Sequence, residues 1–290
     1  LCDREKLVRW AQAGRHDWSL TRRQFAAAAA LGPLAACTAS GADEETLAEA
    51  MVSLHTPDGM MDAFYVRPVG GEYPAVITWP DIAGLREAFK LMARRLAAQG
   101  HAVLVVNPYY RSGPAPQFAD FAEFLADKGF ETVTPWREQL TADAIMRDAR
   151  AIVRWLDNQA DVDTARGIGT NGYCMGGPFT VFTAAAVPGR VRAAASLHGG
   201  GLILPEAPHS PHRMLAETEA RYLFAIAQND DAKDPDAKVA LREAAQAAGR
   251  PAEIEVYPAD HGWTVPDSPA YSKEAAERAW SRMTALFDTL

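Results

Sequence analysis

Gly172-Tyr173-Cys174-Met175-Gly176-Gly177 is the stretch on which the reading of this 290-residue chain turns. It has the small-x-nucleophile-x-small pattern of a sharp strand-to-helix bend, with cysteine in the place more often held by serine. Glycines two residues before and two after Cys174 let the backbone turn without a side-chain clash. Such a bend lifts the sulfur above the end of a strand, beside the first free N–H groups of the following helix. Those donors and the helix dipole favour a thiolate, the reactive form. A buried, inert cysteine needs no flanking glycines, so Cys174 reads as a nucleophile.

Short apolar runs and helical stretches alternate on both sides of the bend. Residues 52–56 and 63–67 flank the turn signal Pro57-Asp58-Gly59 and read as a hairpin. Strands are predicted at 75–79, 102–106, 167–170, 193–197, 222–227 and 253–257. Helices are predicted at 85–99, 118–127, 141–158, 178–186, 237–248 and 271–290. This alternation implies parallel βαβ units, hence an α/β fold with a mostly parallel central sheet flanked by helices. One domain spans 47–290, after a small, acidic linker at 38–46.

The net charge is −8. The first 36 residues hold six Lys/Arg against three Asp/Glu, leaving 23 basic and 34 acidic side chains, or −11. A body that acidic is a poor nucleic-acid binder, which needs a basic face. Thr21-Arg22-Arg23-Gln24-Phe25 is a twin-arginine pattern, followed by an alanine-rich stretch too short to span a bilayer. Residues 1–37 therefore read as a signal for the twin-arginine export machinery. Leu34-Ala35-Ala36-Cys37 resembles a lipobox and offers Cys37 as a lipid anchor. The expected location is periplasmic or membrane-anchored, or cytoplasmic without a working signal. Processing at Cys37 leaves Cys174 with no obvious disulfide partner.

Two downstream residues complete a chemical set with Cys174. His261, in Ala259-Asp260-His261-Gly262-Trp263, directly follows the last predicted strand and is the expected base. Asp230 or its neighbour Asp231 follows the preceding strand, where an acid can orient that histidine; the register favours Asp230. Nucleophile, acid and histidine come in the chain order of α/β-hydrolases. Met175 N–H is the expected first oxyanion donor. Ile82 N–H, in Trp79-Pro80-Asp81-Ile82-Ala83-Gly84, is the candidate second. His55, His101, His209 and His212 read as solvated, and Asp260 as a loop charge. Gly199-Gly200-Gly201 after His198 reads as a flexible turn at the pocket rim. The chain has no closely spaced His/Cys ligand motif, so no metal or cofactor is expected.

At these residues the chain resembles the dienelactone hydrolase family of α/β-hydrolases over roughly residues 50–290. The resemblance rests on GYCMGG around Cys174, His261-Gly262-Trp263 with its acid, and the Asp81 loop. It implies a Cys174–His261–Asp230 triad that hydrolyses a small-molecule ester or lactone through an acyl-enzyme. It also implies that an acid at Asp81, usually Glu in the family, helps prepare the thiol. Arg111, with Tyr110 before it, stands where the family can hold an arginine for a substrate carboxylate. The arginine that some members carry four residues after the histidine is replaced by Val265. The competing expectation is an exported binding protein that keeps the fold without turnover.

Overall fold

The apolar runs at 75–79 and 102–106 become the buried centre of the molecule, as strands β3 (Ala75–Trp79) and β4 (Ala102–Val106). Side chains alternate across a strand. Ala102, Leu104 and Val106 accordingly join one apolar cluster, and Val103 and Val105 join another. A strand buried on both faces needs helices on both faces. The structure, a computed structural model, describes residues 46–290. The twin-arginine stretch, Cys37 and residues 38–45 of the expected linker lie outside the described residues.

Eight strands form one sheet in the order β1-β2-β4-β3-β5-β6-β7-β8. The first two are β1 (Leu47–Thr56) and β2 (Gly59–Pro68), an antiparallel hairpin in full ten-residue register whose second strand also pairs antiparallel with β4. The remaining pairs are parallel, through β5 (Ile168–Tyr173), β6 (Val191–Leu197), β7 (Arg221–Ala227) and β8 (Ala252–Tyr257). The first strand starts five residues before the predicted one, because pairing with β2 continues to its end at Pro68.

One face is covered by α1 (Glu87–Ala97) and the C-terminal α9 (Lys273–Phe287), which bury Phe89, Met92, Trp280 and Met283. The other face carries α4 (Ala142–Asp157), α5 (Gly177–Ala186), the one-turn α6 (Pro211–Met214) and α8 (Ala237–Ala247). Thr141 caps α4 by accepting the Ala144 N–H. The helix expected at 118–127 is α2 (Phe121–Ala126), and a second, unexpected helix, α3 (Gly129–Arg137), follows it. They are broken by Lys128 at φ +53 and packed around Phe124. This aromatic cap borders the carboxyl ends of the parallel strands, where α/β sheets of this kind bind ligands.

Candidate active site

Strand β5 ends at Tyr173. Cys174, at φ +54, opens a single 3₁₀ turn (Cys174–Gly176) that leads directly into α5. A residue with a Cβ pays about 1–3 kcal/mol for that conformation, so its neighbours must impose it. They do so by contact. A Cβ on Gly172 would lie 2.0 Å from Gly176 O, and one on Gly176 would lie 2.4 Å from Trp79 O. The glycines of the motif thus answer to backbone approach. Cys174 is only 8% exposed. Met175 N–H lies in the opening turn, where amides have no intrahelical acceptor.

The last two strands deliver an acid and a histidine to this point. β7 runs into the one-turn helix α7 (Gln228–Asp231), and β8 into the loop of His261. His261 Nδ1–H donates to Asp230 Oδ2 at 2.5 Å. The two loops are tied by His261 N–H to Asn229 Oδ1 at 2.8 Å and by Gln228 N–H to Ala259 O at 3.0 Å. Asp231 turns away to Lys238, 2.6 Å distant, which separates the two acids left open by the sequence. Asp260 accepts from Gln228 Nε2 at 3.2 Å. Burial works against a cation on His261, but the Cys174 sulfur and the Asp230 carboxylate outweigh it and raise the imidazole to about 9. Cys174, His261 and Asp230 therefore form one group.

Asp81 is committed elsewhere. Its Oδ1 and Oδ2 accept from Arg86 Nη1 at 2.7 Å and Nη2 at 3.0 Å. Arg86 also donates to both oxygens of Asp267, at 2.7 and 2.8 Å. Arg86 is fully buried. Burial pushes the Asp81 carboxyl up, against the pull of that guanidinium. Asp81, the acid expected to help prepare the thiol, thus has both oxygens held by Arg86. What it does hold is the loop: Oδ1 also accepts Ala83 N–H at 2.9 Å, and Asp81 O accepts Gly84 N–H at 3.0 Å. Tyr109 closes this loop onto the elbow, its hydroxyl donating to Ile82 O at 2.8 Å with Met175 Sδ at 3.3 Å. Ile82 and Met175, the expected oxyanion pair, are thus joined through one buried phenol.

Arg111 and Tyr110, expected to meet the substrate, pair with one another's partners in a cluster of their own. Arg111 Nη2 bonds Asp58 at 2.7 Å and the buried Asp148 at 2.8 Å. The Tyr110 hydroxyl bonds Asp148 and Thr56, both at 2.7 Å. These pairs fasten the β1–β2 hairpin to α4. The charge read as free for a carboxylate is balanced by two side chains 53 and 37 residues away, which no local pattern reveals.

His198 was not expected at the site. It follows β6 at φ +42 and is buried. Its Nδ1 accepts the N–H of Cys174 at 3.1 Å, and its Nε2 pairs with Thr264 Oγ1 at 2.8 Å. Burial and the charge of His261 hold it well below the ordinary imidazole range. The glycines after it are no loose rim. A Cβ on Gly199 would lie 2.2 Å from Ser196 Oγ and 3.0 Å from Gly177 Cα, and Gly200 N–H donates to Cys174 O at 3.3 Å. A turn signal was legible there, but its packing partner was not.

An eight-stranded, mostly parallel sheet, with a strained cysteine turn after β5 and an acid and histidine after later strands, defines an α/β-hydrolase. The sequence profile of the dienelactone hydrolase family matches residues 61–290, and the chain belongs to that family. It is 27% identical over 224 residues to a carboxymethylenebutenolidase of Rhodococcus opacus, covering 75% of this chain and 82% of that protein. A Methylorubrum extorquens protein provisionally given the same name is 28% identical over 264 residues, with 90% and 87% covered. A Klebsiella pneumoniae crystal structure, provisionally described as a dienelactone hydrolase, superposes with a TM-score of 0.73 at 26% identity. That match covers 84% of this chain and all of the other. The protein is a hydrolase of that family.

Proposed function

We propose that the protein cleaves a carboxylic ester or lactone by forming an acyl-enzyme on Cys174. The observation that carries this reading is one buried imidazole with Asp230 on Nδ1 at 2.5 Å and a neighbouring sulfur whose charge raises it to about 9. With the thiol proton of Cys174 already resting on His261, Sγ attacks the substrate carbonyl carbon as a thiolate while the π electrons move onto oxygen. The oxyanion is held by the N–H groups of Met175 and Ile82, each contributing about 3 kcal/mol. Collapse re-forms the carbonyl and breaks the C–O bond, and His261 Nε2–H gives its proton to the departing oxygen. Water then loses a proton to His261 and attacks the thioester, and the sulfur departs. Asp230 keeps the imidazole in the required tautomer throughout.

Asp81 carries no proton in this scheme. Held by Arg86, it braces the loop that presents Ile82. Substrates with a good leaving group, such as aryl esters and enol lactones, match a sulfur nucleophile because little protonation is needed at the departing oxygen. An activated aryl ester should give a burst of one equivalent and a mass increase of one acyl group on Cys174. Cys174→Ala should lose at least about 10³-fold in kcat; turnover that survives this change overturns the reading.

A further inference from the structure

The geometry points to His198 as a positioning residue for the nucleophile: a neutral imidazole that grips the backbone amide of Cys174 and so aims its sulfur. This rests on Cys174 being the nucleophile. The parallel ladder between β5 and β6 ends with the pair Tyr173 and Leu197. Cys174 and His198 come next, and both leave the strand in the left-handed region. Among the described residues only Lys128 is a third non-glycine residue with positive φ. The two departures are therefore adjacent in space as well as unusual.

Once Cys174 leaves the ladder, its buried N–H needs another acceptor, since an unpaired buried amide is costly. The His198 side chain provides it, through Nδ1 at 3.1 Å, while the residue's own backbone N–H donates to Ala225 O at 2.8 Å. This fixes the proton on Nε2, which donates to Thr264 Oγ1 at 2.8 Å. A second proton, on Nδ1, would set N–H against N–H. The groups around the ring keep that proton away: burial disfavours a cation, and His261, with ring centroids 4.9 Å apart, is the charged member of the pair. Tyr173, at 6.2 Å, and Cys174 are the other titratable groups against it, and Trp263 packs on it at 5.0 Å.

Thr264 lies on the same loop as His261. The contacts of His198 thus run from the amide of the nucleophile to the loop of the base. A neutral ring serves here where a charged one would not. The cationic state stays with His261, which must exchange protons with the substrate.

Asparagine and glutamine separate the two nitrogens of His198. In His198→Asn, Oδ1 stands near the place of Nδ1 and still accepts from Cys174. In His198→Gln the amide reaches the place of Nε2 and the acceptor is lost. Iodoacetamide alkylation of Cys174 across pH reads the sulfur directly, without turnover, alongside kcat, KM and the melting temperature. His198→Gln should lower kcat about 10- to 100-fold with KM within about threefold, and should slow alkylation and shift its pH profile. His198→Asn should recover to within about threefold of wild type. Thr264→Val, which frees the ring to carry its proton on Nδ1, should move the profile in the same direction as His198→Gln. The inference fails if His198→Gln leaves the profile within about twofold, or if His198→Asn is as impaired as His198→Gln. Should His198→Gln not fold, an unchanged profile in Thr264→Val overturns it. If Cys174→Ala keeps its turnover, the hydrolytic scheme fails by itself, and the alkylation series still decides whether His198 aims the sulfur.

Discussion

Two carboxylates, the buried Asp81 and the partly buried Asp230, stand at the carboxyl edge of the same sheet, and their partners give them opposite roles. Asp230 meets an imidazole that titrates in a useful range and faces a sulfur on its other side. Asp81 meets a guanidinium that stays charged and that a second carboxylate, Asp267, also holds. The first pair can pass a proton on; the second can only keep its shape. A carboxylate near a nucleophile therefore says little about chemistry until its partner is known.

The comparison breaks most sharply at Asp230. Asp230→Asn should cut kcat by about 10²- to 10⁴-fold through loss of the correct tautomer and of charge stabilisation, with a melting temperature within a few degrees of wild type. Steady-state kinetics beside a thermal melt checks both halves, and a small kinetic effect would erase the distinction. The second cluster should fail the other way. Arg86→Met strands two carboxylates in the interior and should lower stability by about 3–5 kcal/mol, read by urea unfolding. Per folded molecule, kcat should fall less than tenfold.

A subtler probe is pH. The imidazole of His261 is raised to about 9 in the folded chain, against about 6.5 when unfolded. A raised folded value contributes stability in full below pH 6.5 or so, and that contribution disappears as pH climbs through about 9. The stability difference between wild type and His261→Gln should shrink across that window, and kcat should decline above it as the proton for the leaving group is lost. In Cys174→Ala, without the sulfur, the window should move to lower pH. Asp81→Asn should leave it in place.

The smallest effect is expected at Arg111. Its guanidinium is taken by Asp58 and Asp148, so Arg111→Gln should change the ratio of KM for a carboxylate-bearing lactone to that for a neutral one by less than about twofold. Stability should fall by about 1–3 kcal/mol as Asp148 loses a partner. A large rise in KM for the acidic substrate alone would return Arg111 to the binding site.

What the sequence disclosed depended on how local the physics was. The elbow was legible because its glycines prevent clashes within four residues, Gly172 against Gly176. The central strands were legible because residues such as Val103 and Leu104 are apolar on both faces. The Asp230 and His261 loops followed from chain order. Arg86 was hidden inside a helical periodicity, since its second carboxylate lies 181 residues away. His198 and Tyr109 were hidden for the same reason: each acts through a loop supplied by another strand. No expectation covered α3, which holds Pro135, a residue that removes one N–H from the helix ladder.

The paired hydrogen bonds between the loops after β7 and β8 have a dynamic consequence. When that edge of the sheet breathes, Asp230 and His261 travel as one body, because Asn229 and Gln228 stitch their backbones together. Such motion alters the distance from ring to sulfur while leaving unchanged which nitrogen bears the hydrogen. Movement of that edge therefore need not change the tautomer of His261.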